Sequence, residues 1–165
     1  VLERALLAVP KNQIQGAVDF RVSVAPIDLT ASVDPDLIDQ VLINLITNAV
    51  QAMPGGGSLA LTAAPASAAD HEGSFVRITV EDSGNGIPPA QLERIFDPFV
   101  TGRARGTGLG LTLAHNVVEA HGGTLEITSE PGRGTCVTIW LPVASASSER
   151  AHAALTPHPA DLIDA

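Results

Sequence analysis

The sequence predicts an α+β sandwich of two layers, with a mixed, mostly antiparallel sheet covered on one face by helices. Three observations carry this. Strand-like runs follow one another directly at 58–64 and 75–81, and again at 124–129 and 135–141. Helical periodicity is grouped into separate stretches instead of alternating with every strand, the pattern of helices segregated to one face of an antiparallel sheet. The last two runs are joined by Pro131-Gly-Arg-Gly134, a turn sequence of the kind that makes a hairpin.

Taken in order, residues 1–8 read as the end of a helix stopped before Pro10, because proline disfavours the helical conformation of its predecessor. Residues 19–24 alternate apolar and polar as a strand does. Asp34-Pro35 opens the next element with an N-cap and a proline at the first helical position. Apolar residues then recur at Leu37, Ile38, Val41, Leu42, Leu45, Ile46, Ala49 and Met53, which predicts a long, mostly buried helix ended by Pro54-Gly-Gly-Gly57. After the strand at 75–81 the chain reads as one irregular stretch through Thr107, and so long a loop within a compact domain is usually functional. A second helix is expected over 108–120, closed by Gly122-Gly123, before the final hairpin. Residues 1–143 are read as one domain and 144–165, which lack periodicity, as a flexible tail or linker.

A chain of 165 residues, 45% apolar and 16% charged, suffices for one globular domain with its own core. It opens on Val1 with no basic leader before the first apolar run, so it is read as a piece of a larger protein. No apolar run approaches the roughly 20 residues of a membrane span, so the segment is expected to be soluble, cytoplasmic and free of membrane contact even if its parent is anchored. The single cysteine, Cys136, excludes an internal disulfide and reads as a packed thiol. A net charge of −9, with nine Lys and Arg forming no basic stripe, argues against nucleic acid as a partner. The same charge would repel a polyphosphate at long range, so any anion site must rely on local amides, a metal ion and a few basic side chains.

Three motifs could supply such a site. Asn44 and Asn48, four apart on an apolar helix, project their amides from one stripe. Two readings stay open for them: satisfied core hydrogen bonds, or an amide oxygen completing the oxygen shell of Mg²⁺. Asp82 follows directly on a strand and precedes Gly84 and Gly86, where the backbone can turn sharply and lie close to a flat ligand. Asp-Ser-Gly-Asn-Gly is also ordinary turn composition. Gly106, Gly108 and Gly110 alternate with Thr107, Leu109 and Leu111 where helical periodicity begins, gathering free amides and the positive end of a helix dipole. The spacing is neither a dinucleotide fingerprint nor a P-loop.

In this order and spacing the motifs resemble the catalytic and ATP-binding domain of sensor histidine kinases, over residues 34–142. That domain is a branch of the Bergerat ATPase fold shared with type II gyrases, a heat-shock chaperone and mismatch-repair ATPases. The resemblance implies ATP and Mg²⁺ as ligands. It makes Asn48 the Mg²⁺ ligand, Asn44 a phosphate or water contact, Asp82 the reader of the adenine amino group and Ile87 the residue packed on the base. Gly84 and Gly86 serve the adenine loop, and Gly106, Thr107, Gly108, Leu109 and Gly110 the triphosphate side. Phe96 and Phe99 match the family's paired phenylalanines in a mobile lid, 96–106, with Thr101 and Thr135 as further nucleotide contacts. The implied partners are a phosphoacceptor histidine domain of the same parent, itself expected to be a homodimer, and a response regulator.

The lid departs from the usual pattern, which places lysine after one or two threonines; here the chain reads Thr101-Gly-Arg103-Ala-Arg105. Either Arg103 or Arg105 is expected to replace that charge on phosphate. Gln51 stands where many relatives carry a basic residue, in a nitrogen-regulator-like Asn-Ala-x-Gln-Ala variant. None of the histidines, at 71, 115, 121, 152 and 158, lies in the long amphipathic context of a phosphoacceptor, so each reads as a surface or packing residue. Three other activities would use a similar site: a hydrolysing ATPase, a serine kinase of the anti-sigma-factor type, and a degenerate binding module. Hydrolysing relatives place a glutamate base where this chain has Asn44, which cannot take a proton at neutral pH.

Overall fold

The computed structural model describes residues 17–25, 31, 33–66, 74–100 and 108–143. The expected helix end at 1–8 and the tail at 144–165 lie outside the described residues. In chain order the elements are β1 (Val18–Val24), α1 (Pro35–Gln51), β2 (Gly57–Ala66), β3 (Phe75–Asp82), α2 (Pro89–Leu92), α3 (Gly110–Ala120), β4 (Thr124–Glu130) and β5 (Gly134–Pro142).

The strands form one sheet in the order β1-β2-β3-β5-β4. β1 pairs parallel with β2, and the remaining neighbours are antiparallel. A parallel pair needs a crossover of a dozen or more residues, and α1 is that crossover. The expected mixed, mostly antiparallel sheet is therefore what forms.

Alternation along the strands sorts the sheet into two faces. One cross-strand row, Ala63, Ile78, Ile139 and Leu125, is buried throughout and points toward the helices. The adjacent opposite-facing row, Thr62, Thr79, Thr138 and Glu126, is polar. The helix-facing side meets α1, whose Ile38, Leu42, Leu45 and Ile46 are at most 2% exposed. Each such burial stabilises by roughly 1.5–3 kcal/mol, so packing more than helix propensity holds α1 in place.

Asp34 caps α1 as expected, its Oδ1 accepting from the amides of Asp36 at 2.9 Å and Leu37 at 3.2 Å. Leu37, expected in the buried stripe, is instead 38% exposed. It stands two and three helical turns before Asn44 and Asn48 and shares their flank of the helix. α3 lies beside α1. His121 joins them: its Nδ1 contacts the Val117 carbonyl at 2.7 Å, while Nε2 accepts the Asp34 amide at 3.1 Å. Those partners select the Nδ1–H tautomer and give His121 a packing role.

The stretch after Asp82 is not wholly irregular, because α2 forms within it from Pro89. Four residues are too few to show helical periodicity, and the element is started by a proline at N1.

Candidate functional site

At one end of the sheet, where β3 and β5 pass under α1 and the start of α3, a cavity of about 670 Å³ opens. That is a volume typical of small-molecule sites. Asn44 and Asn48 form its α1 wall, and Asp82, Gly86, Ile87 and Thr135 line its sheet side. Gly108 and Gly110 bring in the start of α3. Three motifs remote in sequence thus meet in one space.

Asp82 is only 8% exposed, and its Oδ1 accepts the Gly84 amide at 2.8 Å. Gly84 itself lies behind the wall. A Cβ there would stand 2.7 Å from the Ala52 carbonyl oxygen and 2.8 Å from Asp82 Oδ1, so only glycine lets this loop back against the end of α1. The Asn85 amide extends the same seam, donating to Ala52 O at 3.1 Å.

On the other side of the loop, the β4–β5 turn closes over it. Gly132 N donates to Asn85 O at 2.8 Å, and Ile87 N donates to Ser129 Oγ at 2.8 Å. The loop that presents Asp82 and Ile87 is therefore held from both sides.

Asn44 Nδ2 is buried with no hydrogen-bond partner among the described residues. Gly110, the first residue of α3, sits directly over it: a Cβ on Gly110 would fall 2.4 Å from Asn44 Oδ1. Leu109, the N-cap of α3, makes no side-chain capping bond, and the first amides of a helix have no partner within the helix itself. An orphaned amide donor beneath an uncapped helix start is a donor set that fits a polyphosphate. The amide oxygens of Asn44 and Asn48 on the same wall are hard ligands of the kind Mg²⁺ takes.

Other expected contacts stand apart from the cavity. Phe96 packs on the core and on the His115 ring, centroids 4.5 Å apart, and its carbonyl accepts from Thr112 Oγ1 at 2.9 Å. Phe99 is 74% exposed at φ 66°, its amide donating to Gly108 O at 3.1 Å. Leu109 is likewise exposed. Phe96 is drawn off by packing on α3, while Phe99 and Gly108 meet through their backbones. Thr101, Arg103, Arg105, Gly106 and Thr107 lie outside the described residues.

The cavity also includes residues that the motifs did not single out. Thr47 lies three positions beyond Asn44 on α1, where the helical period would have placed it on that flank, and Gln51 of the Asn-Ala-x-Gln-Ala segment lines the cavity too. Ile127 and Val137 come from β4 and β5 and pair with one another. They were visible only as inward-facing strand residues, because their neighbourhood depends on strand order.

This fold and this wall of residues define a class. Residues 33–145 match the family of histidine kinase-, DNA gyrase B-, and HSP90-like ATPases, and the chain belongs to it. Within the family it is a catalytic domain of the sensor histidine kinase type. It is 48% identical over 110 residues to the sensor histidine kinase ZraS of Escherichia coli (strain K12), a match covering 67% of this chain and 22% of that protein. With the sensory histidine kinase/phosphatase NtrB of Escherichia coli O157:H7 it shares 44% over 115 residues, covering 67% and 33%. Among solved structures it resembles full-length ShkA in complex with AMPPNP, at 31% identity and a TM-score of 0.69, over 88% of this chain and 30% of that one. The chain spans a third or less of these curated relatives. Among the described residues no helix is long and apolar enough to cross a membrane.

Proposed function

We propose that this domain binds ATP with Mg²⁺ in the cavity and transfers the γ-phosphoryl group to a histidine on a separate helical domain of its parent. From there the group passes to an aspartate of a response regulator. The observation that carries this reading is the convergence of Asp82, the Asn44–Asn48 pair and the uncapped start of α3 on one cavity of the family's fold.

In this reading the Asp82 carboxylate accepts the exocyclic amino hydrogens of adenine, and Ile87 packs on the ring. Asn48 would hold the metal through its amide oxygen; Asn44, whose Nδ2 has no partner among the described residues, donates to phosphate or water. Gly108 and Gly110 let the first α3 amides approach the phosphates. Arg103 or Arg105 supplies positive charge to the phosphates, and Thr101 and Thr107 further contacts, as the family resemblance implies. A Mg²⁺ held by Asn48 would supply positive charge to offset the negative charge that builds during transfer. The protein's own contribution is positioning and preorganised donors, as phosphoryl transfer requires. Asn44 occupies the place of the hydrolytic glutamate and cannot deprotonate water, which favours transfer over hydrolysis. The parent works as a homodimer with this domain in the cytoplasm.

The test supplies the upstream helical domain as a separate chain with γ-labelled Mg-ATP and counts free phosphate in the same tube. Acid-labile label on that domain with little free phosphate is expected. Abundant free phosphate without label would replace the reading with an ATPase, and neither product would leave a degenerate module.

A further inference from the structure

We infer that Ser129, which does not line the cavity, sets the hydrogen-bonding polarity of Thr135 and through it the preference for adenine over guanine. The inference rests on the nucleotide reading above. Asp82, Thr135 and Ser129 follow one another across β3, β5 and β4 in a single cross-strand row on the helix-facing side of the sheet. The first two line the cavity, and Ser129 stands behind them.

A serine hydroxyl has one hydrogen to give and two lone pairs to accept with. Ser129 Oγ accepts the Ile87 amide at 2.8 Å and donates to the Gly134 carbonyl at 2.8 Å, a partner that can only accept. Its remaining contact is Thr135 Oγ1 at 3.0 Å. With the serine hydrogen spent on Gly134, that contact forms only if Thr135 donates. The threonine hydrogen is thereby committed to the sheet, and lone pairs are all that Thr135 retains for the cavity.

The sheet side of the cavity then presents two acceptors, the Asp82 carboxylate and Thr135 Oγ1. Adenine brings an exocyclic amino group, a donor. Guanine brings a carbonyl oxygen at the same ring position, an acceptor that finds nothing to pair with, and a site built this way rejects the mismatched base. Without the Ser129 hydroxyl, Thr135 rotates freely and can donate to that carbonyl.

The experiment measures ATP and GTP affinities of the full chain by displacement of a fluorescent ATP analogue. Ser129→Ala is expected to lower the ATP-over-GTP preference by roughly three- to tenfold, the worth of one hydrogen bond reversed. Its separate effect on the Ile87 amide weakens both nucleotides alike and cancels in the ratio. Ser129→Thr should restore the preference. In a Thr135→Val background, Ser129→Ala should leave the ratio where Thr135→Val alone puts it. A parent that prefers ATP together with a Ser129→Ala variant of unchanged preference would overturn the assignment alone. So would a Ser129→Ala effect that persists without the Thr135 hydroxyl. Should Ser129→Ala not fold, an unchanged ratio in Thr135→Val overturns it equally. A parent that binds neither nucleotide would remove the nucleotide reading and this assignment together.

Discussion

Gly86→Ala is a test of how tightly the loop after Asp82 is held. Gly86 has φ +67°, and a Cβ there would stand 2.1 Å from the Glu130 carbonyl oxygen and 3.0 Å from Pro131 Cα. Ordinary C···O contacts begin near about 3.3 Å, so loop and hairpin must part by about 1 Å. Both partners are backbone and cannot swing aside. The parting stretches two bonds that now measure 2.8 Å, Gly132 N to Asn85 O and Ile87 N to Ser129 Oγ. Holding alanine in the left-handed region costs about 1–2 kcal/mol, and each lost bond about 1 kcal/mol, for roughly 3–4 kcal/mol in all. Against a typical stability of about 5–15 kcal/mol this is a large fraction. Urea unfolding of the parent and variant reads the cost directly, and ATP titration shows whether the loop still presents Asp82. A variant within about 0.5 kcal/mol of the parent would refute the argument that the hairpin clamps this loop.

Three further outcomes follow from particular contacts. Asp82→Asn keeps the shape and an oxygen for the Gly84 amide but turns an NH₂ toward the adenine amino group. ATP affinity should fall at least about tenfold with the melting curve little changed, as calorimetric titration would show, and undiminished binding would mean that the site is oriented differently. Asp34→Ala removes the two capping bonds of α1 and should cost about 1 kcal/mol, seen as a drop in Tm of several degrees; no shift would mean that water replaces the cap. Burial pushes the Cys136 thiol above its ordinary value, with Glu81 and Asp82 adding to the shift and the Thr138 hydrogen bond and Arg77 opposing it. A raised value means less thiolate at pH 8, so iodoacetamide should modify Cys136 more slowly than free cysteine, with the rate still rising beyond pH 9; reaction at the free-thiol rate would show that the strand opens readily.

The elements whose signals are local were legible in the sequence. Asp34-Pro35 and the apolar stripe after it marked α1, and alternation marked β2 to β5, because caps, helical period and strand period are written in adjacent residues. Asp82, Asn48 and the glycines could be singled out for the same reason. What was not legible depends on contacts between distant residues. The bond from the Asp34 amide to His121 spans 87 positions, and nothing near either residue announces it. Phe96 belongs to α3's packing through His115 and Thr112, which pairing of the two phenylalanines by spacing could not reveal. Ser129 reads as an ordinary strand serine until the register sets it beside Thr135.

The cavity is walled in part by side chains that also belong to the buried core: Leu45 and Ala49 of α1 and Val80 and Val137 of the sheet. Ligand and hydrophobic interior are therefore thermodynamically linked through shared surfaces. A nucleotide present at one hundred times its Kd would add about 2.7 kcal/mol to the folded state. Conversely, a truncation in the cavity wall such as Val80→Ala would register as weaker binding as well as a softer core. In this domain, occupancy and foldedness report on one another.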